Sequence, residues 1–342
     1  MGQELYWIYA FNVIINSTLS FFTTIVLVEL FVRILRVKHP RAKAICRLLP
    51  FCKICIDLCL YHFSNWALLH GVNPTLAETG TRNLSIMVNP FTGIQFSMQD
   101  GKTFSVADII ALSTDILLIQ AIVSIAIAGA TIACAWRLIR IFRAKRCIDL
   151  MVRNATIIDW PNLNSCLAEW MKQKGVQCAS TSAVDAPCIT KKTVLFPVQL
   201  LNDLSQEEVE AIIAHEVAHL HWRDCSLRLA YSLIATVFWW IPTEWWQRRI
   251  EEMQEQASDS MIHRFGISRF ALAEAVLKTA RNARGMPSKL SCSFVGRRLS
   301  LKNRMGMILQ EPMQRTLKWE TIQYGLLGLS LLSILLGKLW IF

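Results

Sequence analysis

Two histidines and a glutamate fall within five residues near the middle of the chain, in His215-Glu216-Val217-Ala218-His219. Residues four apart share a helix face, so both imidazoles can reach one metal ion. Glu216 lies beside them, where a carboxylate can take a proton from a water that the metal has acidified. This is the minimum equipment for zinc-assisted hydrolysis of an amide bond. It works only on a helix, and the preceding residues read as a helix start. Ser205 is a candidate N-cap, Glu208 completes a capping box three residues later, and Ala211 to Ala214 carry an apolar run into the motif.

Two imidazoles are half of a tetrahedral site, because a peptidase zinc takes three protein ligands and keeps a fourth position open. Downstream candidates are His221, Glu251, Glu252, Glu255, Asp259 and His263. His221 stands two residues past His219 and faces elsewhere on a helix. Glu255 fits best, since Asp259 follows it by four on the same face. A metal-bound imidazole donates its other ring proton to such a carboxylate. Asp224 reads as a local salt bridge or cap, and His263 as structural. Arg304, His263 and Tyr231 stay open as partners for the developing oxyanion, with Arg304 also readable as a membrane-flanking cation.

The elements that must position these groups lie in an apolar chain. Of 342 residues 53% are hydrophobic and 18% charged, and mean hydropathy is +0.36, which points to a membrane protein. The formal charge of +11 does not indicate direct nucleic-acid binding, because the basic residues flank apolar segments. A first span is expected over about 5–32, too long and too poor in preceding basic residues for a signal peptide. Arg33, Arg36, Lys38, Arg41, Lys43 and Arg47 follow it. A second span is expected over about 48–69, with Lys53 and Asp57 four apart and able to pair. A polar loop covers 70–107. A third span is expected over about 109–136, followed by Arg137, Arg140, Arg143, Lys145 and Arg146. A last apolar run covers about 322–342.

Both basic clusters read as cytoplasmic, and both can be so only if the 48–69 stretch crosses back out. This gives four spans, both termini outside, and residues 137–320 in the cytoplasm. Within that part, Lys192 to Val198 is β-rich and carries Pro197, so an edge strand is expected. Such a strand beside the metal helix would hold an extended peptide through backbone hydrogen bonds. The Trp-rich stretch 227–246 contains Pro242 and is expected as an interfacial hairpin. A crossing there would part Glu255 from the histidines. A long helix from about Glu244 to Arg284, with a break at Gly266, and a short amphipathic helix over about 299–309 complete the part. Cys52-x-x-Cys55 lies in an apolar helix without a partner pair and reads as packing, and no disulfide framework is indicated.

Three runs, AIIAHEVAHLHWRD (211–224), VFWWIPTEWW (237–246) and EQASD (255–259), resemble the BlaR1/MecR1-type family of membrane metallopeptidases. These are gluzincins with a more distant similarity to the Ste24/HtpX group. The resemblance implies Zn2+ on His215, His219 and Glu255, with Glu216 as base and Asp259 supporting a ligand from behind. The LKNRMGMIL run (301–309) looks like the family's arginine-containing segment and supports Arg304 in the catalytic wall. The implied fold is an α-helical membrane protein with four transmembrane helices. Its cytoplasmic gluzincin domain is mainly α (α+β) with a small edge-strand sheet. The implied location is the bacterial inner membrane, with the active site cytoplasmic.

The antibiotic receptors of that family carry an extracellular penicillin-binding sensor after the last span. This sequence runs to Phe342, so β-lactam sensing is not expected unless a separate protein supplies it. The expected activity is zinc-dependent endoproteolysis at the cytoplasmic face, in regulated cleavage of a repressor or of the protein itself. The alternatives are a housekeeping peptidase for membrane proteins and a non-catalytic scaffold or receptor. Expected partners are a protein or peptide substrate such as a cytoplasmic repressor, the lipid bilayer, and a second copy in a homodimer.

Overall fold

A computed structural model describes residues 2–69, 96–97, 103–104, 115–160, 162–283, 301–310 and 328. The chain opens with α1 (Gly2–Ile34), a short α2 (Pro40–Cys46) and α3 (Leu49–Leu69). A two-residue strand pair, β1 (Phe96–Ser97) and β2 (Thr103–Phe104), lies in the polar loop. Next comes α4 (Ile116–Arg153), capped by the Asp115 carboxylate, which accepts from Leu117 N. Among the described residues two helices are long and apolar enough to cross a membrane, over Ala10–Ile34 and Ile116–Arg153. The second helix runs on past residue 136, where the span is expected to end. Its 38 residues continue through the whole basic cluster, because those residues are good helix formers and no breaker intervenes. Residues 109–114 and the expected last span lie outside the described residues, apart from Gly328.

α3 packs along α1. Lys53 Nζ donates to Asp57, as their spacing allows, and Ser20 of α1 donates to the other oxygen of the same carboxylate. An ion pair in an apolar helix is thus shared with its neighbour, which lowers the cost of burying it. Phe11 of α1 meets Ile119 and Val123 of α4 in a small cluster of their own.

The remaining chain folds as a mixed α/β unit: β3 (Thr156–Ile158), α5 (Ser165–Lys174), β4 (Gln177–Thr181), β5 (Cys188–Thr190), β6 (Thr193–Pro197), α6 (Val198–Leu201), α7 (Gln206–His221), α8 (Asp224–Val237), α9 (Glu244–Met261), a 3-10 turn (Ile262–Phe265), α10 (Arg269–Ala283) and α11 (Leu301–Leu309). The sheet order is β3-β4-β6-β5. β4 and β6 run parallel, and the outer pairs are antiparallel. Here the expectation for 192–198 fails. β6 is an interior strand, and β5 and β3 are the two edges. Pro197 is the last residue of β6, where the missing N–H removes nothing from the ladder, so the proline marks the strand's end and not its exposure.

Val194 and Phe196 of β6, Leu167 of α5, Ile212 and Val217 of α7, and Leu272 and Val276 of α10 form one buried core. α7 starts with the expected capping box of Ser205 and Glu208. Lys278 of α10 pairs with Glu208 at 2.7 Å. α8 leads away from the end of α7, a turn over 238–243 joins it to α9, and α9 returns toward α7. α8 lies antiparallel to α4, with Arg137 Nη2 donating to Ser232 Oγ at 2.5 Å and Trp239 Nε1 donating to Ala126 O at 2.9 Å. α9 ends at Met261, and the 3-10 turn that follows closes at Gly266, the expected break, which adopts φ +68°.

Candidate metal centre

α7 and α9 bring three donors together. His215 Nε2 and His219 Nε2 lie 3.2 Å apart. Glu255 Oε2 is 3.5 Å from the first and Glu255 Oε1 3.7 Å from the second. A tetrahedron with arms of about 2.0–2.2 Å has edges of about 3.3–3.6 Å, so the three donors suit a zinc ion. Of the candidates for the third ligand, only Glu255 joins the two histidines in a metal-sized cluster among the described residues. His221 instead faces Trp170, with ring centroids 6.3 Å apart, and Tyr231 donates to Glu251 at 3.5 Å.

The other nitrogen of each imidazole meets a buried carboxylate. His215 Nδ1 is 2.9 Å from Asp259 Oδ1, and His219 Nδ1 is 2.9 Å from Asp224 Oδ2. Each carboxylate holds the ring proton on Nδ1 and leaves an Nε2 lone pair turned inward. Two lone pairs 3.2 Å apart beside a carboxylate repel one another unless a cation stands between them. Glu255 Oε2 is buried between the first of those nitrogens, at 3.5 Å, and Arg304 Nη2, at 3.8 Å, so the third ligand also turns its charge inward. The residues therefore fit a divalent metal.

The same surroundings favour a proton on the inward-facing ring of His215. Burial opposes charging of His215, but its bonds to Asp259 and Glu255 outweigh that and push it up to about 9. Burial also disfavours the Glu255 carboxylate, yet His219, His215 and Arg304 hold it down to about 2. Asp259 is held far below the usual carboxylate range against its own burial, chiefly by Arg304 and then by His215.

Arg304 of α11 grips Asp259 with two donors, Nε at 3.0 Å from Oδ2 and Nη2 at 2.7 Å from Oδ1. It also lies 3.8 Å from Glu255 Oε2. The structure thus brings Arg304 into the site as the partner of the carboxylate behind His215. Glu216 is buried on α7, and its Oε2 accepts from Ile189 N of the edge strand β5 at 2.9 Å. Burial raises its pKa, with His215 and His219 acting the other way.

Asp224 is what the sequence reading missed. Its carboxylate does make a salt bridge, to Arg41 of α2, but its second oxygen supports His219. Ser258 Oγ adds a further contact to His219 Nδ1 at 3.2 Å. The available signal was the acid five residues past His219 at the start of the next helix.

A 65-residue stretch is 42% identical to Protease HtpX homolog 2 of Sulfurisphaera tokodaii. That match covers 19% of this chain and only 20% of the relative, so it speaks for a segment and not for the whole protein. The family description BlaR1 peptidase M56 matches residues 14–308. That range runs from within α1 to within α11 and takes in all three donors. With most of its length matched and a zinc-sized donor cluster inside the match, the chain belongs to the BlaR1 peptidase M56 family.

Proposed function

We propose that this membrane metallopeptidase is a zinc-dependent endopeptidase that cuts peptide bonds at the cytoplasmic face, in regulated cleavage of a repressor or of itself. The observation that carries the reading is the trio of His215, His219 and Glu255 with Glu216 beside it on the same helix. In this reading four spans put both termini outside and residues 137–320 in the cytoplasm. The α8–α9 hairpin lies against the inner half of α4. Its Trp239 meets Ala126, eleven residues before the basic Arg137, about 16 Å along the helix.

His215, His219 and Glu255 would hold the zinc, which when bound supplies Lewis acidity and makes a water nucleophilic at neutral pH. Glu216 takes the proton from the attacking water and returns it to the leaving amine nitrogen. Its burial raises its basicity for that task, and the Ile189 N–H aims one oxygen while leaving the other for the water. Asp259 and Asp224 keep both imidazoles in the tautomer that binds metal. Arg304 is a positioning residue that orients Asp259 and offsets the negative charge beside Glu255. β5, an edge strand of the sheet, is placed next to Glu216 to receive an extended peptide alongside it.

The test is Glu216→Gln in the full-length protein in membranes. The expected outcome is one zinc per chain retained, proteolysis reduced by about 10²–10⁴-fold, and a cytoplasmic protein or the chain itself trapped uncleaved. Full proteolysis by the variant, or absence of zinc from the wild type, would sink the reading.

A further inference from the structure

The short helix α2 lies directly after α1 and far from the metal motif in sequence, yet it touches the supports of two of the three donors. Arg41, at its second position, donates from Nη1 to Asp224 Oδ1. The other oxygen of that carboxylate holds His219 Nδ1. From Nη2, Arg41 also donates to Trp222 O, the C-cap carbonyl of α7, at 2.8 Å, and its guanidinium stacks 5.2 Å from the Trp222 ring centroid. One side chain thus grips the end of the metal helix and the start of α8, across the left-handed turn at Arg223.

The other end of α2 grips α9. Trp246 Nε1 donates to Arg47 O at 2.7 Å, and the Arg47 guanidinium stands over the Trp246 ring at 5.8 Å. Ala42, Cys46, Trp246 and Ile250 are buried in one cluster with Val28 and Val32 of α1. Arg47 also pairs with Glu29 of α1 at 2.9 Å. Glu255 lies nine residues along α9 from Trp246, about 14 Å. α2 is therefore wedged between the membrane helix on one side and the scaffolding of His219 and Glu255 on the other.

Resting on the zinc reading above, we propose that Arg41 is a positioning residue for the metal ligand His219, acting through Asp224, and that it ties the geometry of the metal centre to the end of α1. An aspartate held by only one of its oxygens is free to turn about its side-chain bonds. Arg41 fixes the second oxygen and so fixes the direction in which the first faces the imidazole. The planar fork of arginine is needed, because Asp224 and the Trp222 carbonyl are bound at once. A lysine reaches only one of them with defined geometry.

The experiment uses full-length protein in detergent micelles, loaded with zinc, and reads the rate of zinc loss to a chelator. The absorption bands of the cobalt-substituted protein are read in parallel. Arg41→Ala is expected to speed zinc loss by about tenfold or more and to shift the cobalt bands, with Arg41→Lys between it and the wild type. Lys43→Gln removes the same charge from the same helix and is expected to stay within about twofold of the wild type. In an Asp224→Asn background, Arg41→Ala is expected to add nothing, since the two act in series. Wild-type zinc loss and cobalt bands in Arg41→Ala would overturn the proposal, as would effects of Arg41→Ala and Asp224→Asn that multiply. Should Arg41→Ala fail to fold, Arg41→Lys carries the test alone, and wild-type behaviour there overturns it. A wild type that holds no zinc would bring down the metal reading itself, and this inference with it.

Discussion

His215 Nδ1 lies 2.9 Å from Asp259 Oδ1, and the same carboxylate is held by two donors of Arg304. A metal ligand on α7 is thereby anchored to α11 through a carboxylate on α9. All three side chains are buried, so breaking the chain at one link leaves a charge with no solvent to turn to. Asp259→Ala is expected to weaken zinc binding by about 10–100-fold and to cost about 3–5 kcal/mol of stability, because Arg304 is stranded. Asp259→Ala combined with Arg304→Met should regain much of the stability and none of the affinity. Chelator competition and thermal unfolding separate the two effects. Equal recovery of both would show that Asp259 serves only as a counter-charge.

The proton held at His215 must leave when metal enters. With the imidazole pushed up to about 9, zinc binding at pH 7 should release about one proton. The heat of binding should then vary with the ionisation enthalpy of the buffer. For stability without metal, His215 contributes fully below its ordinary value of 6.5, and that contribution is lost as pH rises through about 9. Glu255 contributes above its ordinary 4.5, and its share is lost as pH falls toward about 2. From these two groups the metal-free protein is steadiest between about 4.5 and 6.5, while zinc affinity still climbs toward pH 9. Buffer-independent heats at pH 7 would show His215 already neutral.

Gly129 gives Trp239 its place against α4. A Cβ there would stand 2.4 Å from the indole, and the ring is also pinned by its hydrogen bond to Ala126 O. Gly129→Val should push the α8–α9 turn off the helix and cost about 1–3 kcal/mol, seen as a lowered unfolding temperature in micelles. Adding Trp239→Ala should restore part of that loss. A valine tolerated without change would mean that the indole does not sit in this notch.

How far the site was legible follows from periodicity. His215, His219 and Glu216 share one helix, and Glu255 and Asp259 share another, so a spacing of four places each set. Asp224 escaped because the chain leaves the helix between it and His219. Arg223 is left-handed at φ 54°, and no helical spacing predicts where a side chain points after such a reversal. Arg41 escaped because a cation beside a span has a sufficient local reason to be there. Its partner stands 183 positions away, which only folding reveals. Pro197 misled because a proline reports a missing N–H and not the side of the sheet on which the strand lies. Arg304 was one of several candidates in the sequence, and its grip on Asp259 depended on how α11 packs against α9.

Ile189 offers the sharpest test of Glu216 as the base. In the antiparallel pair with β6 it stands opposite Val194, and its N–H points away from that strand to Glu216 Oε2 at 2.9 Å. A proline at 189 would remove this donor and leave the ladder bonds of β5 to β6 in place. Among the influences on Glu216, burial raises its pKa most, and the Ile189 N–H is one of those that lower it. Losing it makes the carboxylate harder to ionise. If Glu216 must be ionised to act, the acid limb of the rate profile should move to higher pH in Ile189→Pro, with zinc content unchanged. At a pH well above that limb the rate should come back toward the wild type, apart from any loss of aim. A rate lowered equally at every pH would assign the N–H a purely structural part. An acid limb that stays where it was would remove Glu216 from the role of base.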